Sequence, residues 1–449
     1  MPSFPSIALF LIFSYTTFAP LSQAAVPQNQ TFNFAIDDDF GPYITEYDAS
    51  YIMLSIFASP FQFAFYNTTP NEFYLAIRMG LRRSESLFRW AWEANRGSPV
   101  HQNASFSFGT DGNLVLAEAN GTIAWQSNTA NKGVVGYKFF SNGNLVLYDS
   151  KGSFVWQSFD YPTDTLLVGQ SLKAGGPASK LVSRVSEVEN ANGPYSLVLE
   201  PKGLTLYYTN KNSPKKPIKC SSMISIPKGI LQNVTLSSDP ETFEVNFDYG
   251  MINAPEYSNQ GTRYLANPVN NSTLTYLRLG IDGNVRMLTY FVNVRQGVWR
   301  ETYALYDRDN FVNDESECQW PEKCGAFGLC EDNQCVACPS SQGLKGWSKD
   351  CKAKAVTSCR ASDFHYYKLE GVEHYMSKYN SGDRVSESGC ESKCTKDCKC
   401  VGYFYKKEVS RCWVAYDLRT LAKVANSSHV GGGNWDGWFI IDGPSQYVY

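Results

Sequence analysis

Asp111-Gly112-Asn113-Leu114-Val115-Leu116 recurs as Asn142-Gly143-Asn144-Leu145-Val146-Leu147, 31 residues further on. In each copy Trp-Gln-Ser follows 14 residues after the first position, as Trp125-Gln126-Ser127 and Trp156-Gln157-Ser158. Asp-Gly and Asn-Gly accept the positive φ of a tight hairpin turn, and the aliphatic run behind them reads as a strand. A weaker mark, Trp92-Glu93-Ala94-Asn95, stands 33 residues before Trp125. No such unit can bury its apolar face alone. Three of them, with one Trp each, predict a pseudo-threefold assembly whose tryptophans meet at a shared centre. Gly280-Ile281-Asp282-Gly283-Asn284-Val285 is a fainter echo, which hints at a second related unit from about residue 190 to 312.

Outward from this repeat, strand language continues. Phe73-Tyr74-Leu75-Ala76-Ile77-Arg78 and Tyr195-Ser196-Leu197-Val198-Leu199 are aromatic and aliphatic runs bounded by Gly, Pro, Asn and Asp. The fold class read from residues 26–317 is therefore mainly β. At 43% hydrophobic and 18% charged residues, the 449-residue chain can fill packed cores, which excludes disorder as its main theme. A near balance of 40 basic and 43 acidic residues excludes a basic field for nucleic acid or anionic lipid.

The cysteines divide the chain. Cys220 stands apart, and the other 12 of the 13 lie between Cys318 and Cys412. Cys318 to Cys351 holds six with little apolar material, a composition that needs covalent staples. Six more run from Cys359 to Cys412. Of these, Cys390, Cys394 and Cys398 recur every four residues, which places them on one helical face, with Ser386 or Ser388 as cap. Val401 to Tyr405 and Cys412 to Tyr416 read as strands behind that helix.

Such cysteine density requires an oxidising compartment. Residues 1–24 read as a signal peptide, with the apolar run Ile7 to Tyr15 and the small-residue end Ala24-Ala25. No later stretch offers the roughly 18 apolar residues of a membrane span. Asn-x-Ser/Thr acceptors occur at Asn29, Asn67, Asn103, Asn120, Asn233, Asn270, Asn271 and Asn426. The expected product is a secreted glycoprotein.

The repeat, together with Trp156-Gln157-Ser158-Phe159-Asp160-Tyr161-Pro162-Thr163-Asp164-Thr165, resembles the bulb-type lectin domain. The order of segments resembles the S-locus glycoproteins and S-domain receptor kinase ectodomains. The start Val26-Pro27, with Phe40-Gly41-Pro42-Tyr43, is most similar to the plant epidermis-specific secreted glycoproteins. With Tyr449 the last residue read, no kinase segment is expected, as in the soluble members. The resemblance implies a β-prism lectin domain at 26–172 and a second lectin-like domain at 173–312. An EGF-like segment at 318–351 and an α+β PAN/apple module at 359–442 would follow. It also implies the pairings Cys318–Cys330, Cys324–Cys335, Cys338–Cys351, Cys359–Cys398, Cys390–Cys412 and Cys394–Cys400.

The family's mannose pocket is Gln-x-Asp-x-Asn-x-Val-x-Tyr on one strand, where alternate residues face one sugar. Here the first copy reads Gly109, Asp111, Asn113, Val115, Ala117, and the second Phe140, Asn142, Asn144, Val146, Tyr148. Both lack the Gln, and the first lacks the Tyr. Two readings stay open: a weakened sugar site, or turns kept because they close hairpins. No His-Glu-x-x-His, Gly-x-Ser-x-Gly or phosphate-binding loop occurs, so neither enzyme nor cofactor is implied and no metal site is read. Cys220 is either a buried thiol or a bridge to a second chain. The expected partners are carbohydrate or glycoprotein ligands such as cell-wall glycans, a receptor-kinase ectodomain, or a second copy.

Overall fold

The computed structural model describes residues 25–36, 46–80, 88–210, 213, 217–239, 241–255, 259–268, 274–291, 298–307, 316–340, 343–353, 360, 362–423 and 435–442. The first unit is a prism of three antiparallel sheets. One runs Ser50–Ala58, Phe61–Thr69, Glu72–Met79 and Arg89–Glu93. The second joins Phe32–Ala35 to Ser105–Phe108, Leu114–Ala117 and Ile123–Gln126, and the third is Val134–Phe139, Leu145–Asp149 and Phe154–Gln157. Each sheet turns alternate apolar residues inward, so Phe63, Leu75, Phe106, Leu116, Leu145 and Leu147 share one core. At its axis the three tryptophans of the repeat meet edge to face. Trp92–Trp125, Trp92–Trp156 and Trp125–Trp156 lie 5.8, 6.2 and 5.9 Å apart.

A second three-sheet unit repeats the plan. Thr165–Leu167 pairs with Leu274–Leu279, and Ser171–Lys173 with Ile230–Ser238. Lys180–Arg184 pairs with Asn192–Glu200. Residues from Thr165 onward therefore already belong to the second unit, which moves the boundary expected at 172/173 back by several residues. The reason is topological. One short strand after another leaves the first prism to edge each sheet of the second.

The seam between the units is charged and buried. Arg184 of the second unit reaches Glu93 of the first at 3.1 Å, and Tyr66 also bonds Glu93. Arg96 donates to the Asn190 and Val182 carbonyls at 2.7 and 2.8 Å. Arg278 pairs with Glu46 and donates to the Trp90 carbonyl at 2.6 Å. Asp164 lies 3.7 Å from Arg96 and 3.9 Å from Arg278. Burial pushes its carboxyl up, yet Arg96 and Arg278, joined by the Thr165 hydroxyl and Arg184, together hold it below the usual carboxylate range.

The cysteine-rich segment and the C-terminal module are not two separate bodies. Leu329–Glu331 pairs in parallel with Leu421–Lys423, giving one five-stranded sheet across both. Phe327 and Leu329 share a core with Val372, Phe404, Trp413 and Phe439. A second five-stranded sheet is ordered Phe364–Glu370, Trp435–Asp442, Gly402–Lys406, Arg411–Ala415 and Asp383–Arg384. The helix is Glu387–Thr395, capped by Ser386 Oγ, which accepts from the Gly389 N–H at 3.1 Å. It buries Cys390 and Cys394 but ends before Cys398. Bridges join Cys318–Cys330, Cys324–Cys335, Cys338–Cys351, Cys390–Cys412 and Cys394–Cys400. Cys398 is disulfide-bonded, and Cys359 lies outside the described residues, as do residues 1–24, Asn270, Asn271 and Asn426.

Cys220 lies inside the second unit's core, 1% exposed, with its thiol donating to the Ile218 carbonyl at 3.5 Å. A bridge to a second chain would require that core to open, so the buried-thiol reading holds. No helix among the described residues is long and apolar enough to cross a membrane.

Candidate functional site

The Asp/Asn-Gly-Asn turns have one geometry. Gly112, Gly143 and Gly283 adopt φ of 78°, 90° and 77°, the left-handed region that makes glycine the favoured residue there. The first residue of each turn caps the third. Asp111 Oδ1, Asn142 Oδ1 and Asp282 Oδ1 each accept from the backbone N–H two residues on, at 3.1 Å. The third residue then ties the turn to the following strand. Asn113 Nδ2 donates to Gln126 Oε1 at 2.8 Å, while its Oδ1 accepts from Ser127 Oγ and the Thr129 N–H. Asn144 does the same to Gln157, Ser158 and Phe159. Asn284 bonds both backbone polar groups of Tyr306. All three asparagines are buried. Ser127 and Ser158 are the serines of the repeated Trp-Gln-Ser, so both halves of the repeat serve one internal network.

The two candidate copies stand on different sheets of the prism, Leu114–Ala117 and Leu145–Asp149, and are not brought together. In the first copy Val115 is half-buried between Ser107 and Gln126, and a Cβ on Gly109 would stand 2.7 Å from Asp111 Oδ1. A glutamine there would displace that carboxylate. In the second copy Val146 is 0% exposed. Tyr148 packs its phenol over Gly136, beside the Gln30 side chain. Phe140, in the place of the family's Gln, packs on Phe154 at 6.1 Å under Lys138. A sugar meeting either copy finds the asparagine amides engaged, and at the second copy Val146 is covered as well.

The motifs that carried the resemblance work at the seam. Glu93 and Arg96 of Trp92-Glu93-Ala94-Asn95-Arg96 hold the second unit, and Asn95 bonds Leu75 N–H and the Phe73 carbonyl. Trp92 Nε1 donates to the Tyr161 carbonyl at 2.8 Å, and Tyr161 stacks on Trp156. Sequence reasoning had no signal for this role, because the partners Arg184 and Arg278 lie far along the chain without a motif. Of the glycan acceptors, Asn29, Asn103 and Asn120 are exposed, and Asn67 is half-buried. Asn233 is half-buried with its amide oxygen against the Gly250 N–H. Among the described residues no group of three or more His, Cys, Asp or Glu is placed to hold a metal ion.

Tandem three-sheet prisms, the first centred on a Trp triad and both carrying Asn-tied turns, define a lectin-type β protein. A family model described as D-mannose binding lectin matches residues 90–184. The chain is 48% identical over 429 residues to EP1-like glycoprotein 4 of Arabidopsis thaliana, covering 95% of this chain and 96% of that one. It is 51% identical over 391 residues to the epidermis-specific secreted glycoprotein EP1 of Daucus carota, covering 83% and 99%. A G-type lectin S-receptor-like serine/threonine-protein kinase of Arabidopsis thaliana, SD2-5, is 24% identical over 378 residues, 79% of this chain and 41% of its own length. The chain belongs to the family of EP1-like, epidermis-specific secreted glycoproteins.

Proposed function

We propose that this protein is a non-catalytic glycoprotein of the apoplast or cell wall whose lectin scaffold has closed its mannose sites. Its binding to wall glycans or glycoproteins then runs through other faces, including the C-terminal PAN/apple-like module. The observation that carries this reading is the use of Asn113 and Asn144. Their amides are bonded inside the turn network, and Val146 is fully covered, so a mannose would have to break internal bonds before forming its own. The buried carboxylates Glu93 and Asp164 support the non-catalytic part. Both sit against arginines at the seam rather than in a cleft.

Isothermal titration of the secreted protein with mannose and mannobiose tests the proposal. No binding at millimolar sugar is expected, while Asn144→Ala lowers stability by about 1–3 kcal/mol by leaving buried partners unsatisfied. Saturable mannose binding that Asn144→Ala abolishes in a folded protein would overturn the closed-site reading.

A further inference from the structure

Away from both lectin units, three cations stand in one row across the C-terminal sheet. Arg384 is the direct cross-strand neighbour of Arg411, and Arg411 is the direct neighbour of Lys406 on its other side. Directly paired residues project from the same face, about 4.7–4.9 Å apart from strand to strand. Like charges placed opposite one another destabilise a sheet.

The row lines a shallow depression of about 670 Å³ together with Lys378 and the edge of Trp413, and Glu408 is the carboxylate among its described lining residues. Arg411 Nη1 donates to the Gly382 carbonyl at 3.1 Å, which holds its fork in place. A second cleft of about 680 Å³ continues from the depression through Asn380, Ser381 and Trp413 and ends near Lys219 of the second unit. Its carboxylates Asp383 and Asp417 are each paired at 2.7 Å, with Lys393 and Arg419. The combined groove is long, open and positive.

We propose that this groove binds an acidic polysaccharide, a polyuronate chain whose successive carboxylates meet Arg384, Arg411 and Lys406. Such a polymer carries one carboxylate per sugar ring, so its anions recur at close intervals and its hydroxyls suit Asn380 and Ser381. An extended acidic peptide fits less well. It offers carboxylates without the ring hydroxyls that suit Asn380 and Ser381. The proposal concerns a face separate from the mannose sites and stands whether those are closed or open.

The test is titration of the full secreted chain with oligogalacturonates, at low and at physiological salt. Binding is expected, weaker as salt rises. It should fall about tenfold or more in R384Q/R411Q and be lost with the fully methyl-esterified oligomer. Removing facing like charges should leave the thermal midpoint unchanged or raised, which separates loss of the site from loss of the fold. Arg384→Gln alone, at an exposed position, provides the same comparison if the double variant does not fold. Absence of binding, binding unchanged in the variants, or equal competition by polyglutamate would each overturn the proposal.

Discussion

Asn144 and His374 are two polar residues whose roles the sequence leaves open. Asn144 stands in a recognisable turn, and its identity alone suits sugar binding as well as turn closure. The choice falls to bonding partners 13 to 15 residues away. His374 had no motif at all. It is buried with Nε2 2.9 Å from the Leu418 carbonyl, which can only accept, and its Nδ1 accepts from the Met376 N–H. That pattern requires the neutral ring. Burial pushes its pKa down to about 4, against a lesser upward pull from Asp417. Between pH 6.5 and about 4 the unfolded chain therefore binds the extra proton, and stability falls as pH falls through that window. The full loss is on the order of 3 kcal/mol. Buried Glu373, whose pKa is raised by burial, acts in the opposite sense as pH rises. Comparing denaturant unfolding of wild type and His374→Gln across this range isolates the histidine, and the variant should show a flatter pH dependence.

At the scale of elements, hairpins and caps were legible from residue order. Asp-Gly and Asn-Gly placed the turns, Ser386 caps the helix, and the strand readings near Val401 and Cys412 fall within a residue of Gly402–Lys406 and Arg411–Ala415. The threefold centre was legible too, because one Trp per repeat is a periodic signal. Trp156, 6% exposed, touches Trp92, Trp125 and Tyr161. Trp156→Ala should cost about 3–5 kcal/mol, since three sheets lose their common packing partner at once. A urea titration followed by tryptophan fluorescence measures it. Two features stayed hidden. The parallel pairing of Leu329–Glu331 with Leu421–Lys423 joins segments some 90 residues apart, and the helix stops short of Cys398. Neither short strand carries a pattern that names its partner.

Across the whole molecule, the units form a continuous chain of contacts. Beyond the first seam, Tyr208 bonds Asp417 at 2.5 Å and Arg419 at 2.6 Å, Arg419 pairs with Glu322, and Trp320 Nε1 donates to the Asp282 carbonyl at 2.7 Å. Tyr375 of the C-terminal module packs into the second unit's core. The seam at Glu93 and Arg184 is a buried pair, so breaking it from one side is costly. Arg184→Met should destabilise by about 3–5 kcal/mol by stranding Glu93, and Glu93→Leu added to it should recover most of that loss. Calorimetric unfolding of the two variants checks the sign of the recovery. Asp164, held ionised by Arg96 and Arg278, keeps its contribution above the usual carboxylate range, near pH 3.8. That contribution is lost only in stronger acid, as pH falls through its lowered pKa.

Residue order by itself determined the β class, the Trp-centred repeat, the disulfide-rich end and the turns, because each rests on short-range periodicity or local backbone preference. Tertiary structure decided what those residues are used for. It tied the asparagines of the repeat into the turns, set Glu93 against the distant Arg184 and Arg96 against the Asn190 and Val182 carbonyls, and buried Cys220 in a core. It also lined up Arg384, Arg411 and Lys406. These outcomes depend on which strands become neighbours. That pairing is selected by the burial of whole faces, so no single stretch of the chain encodes it.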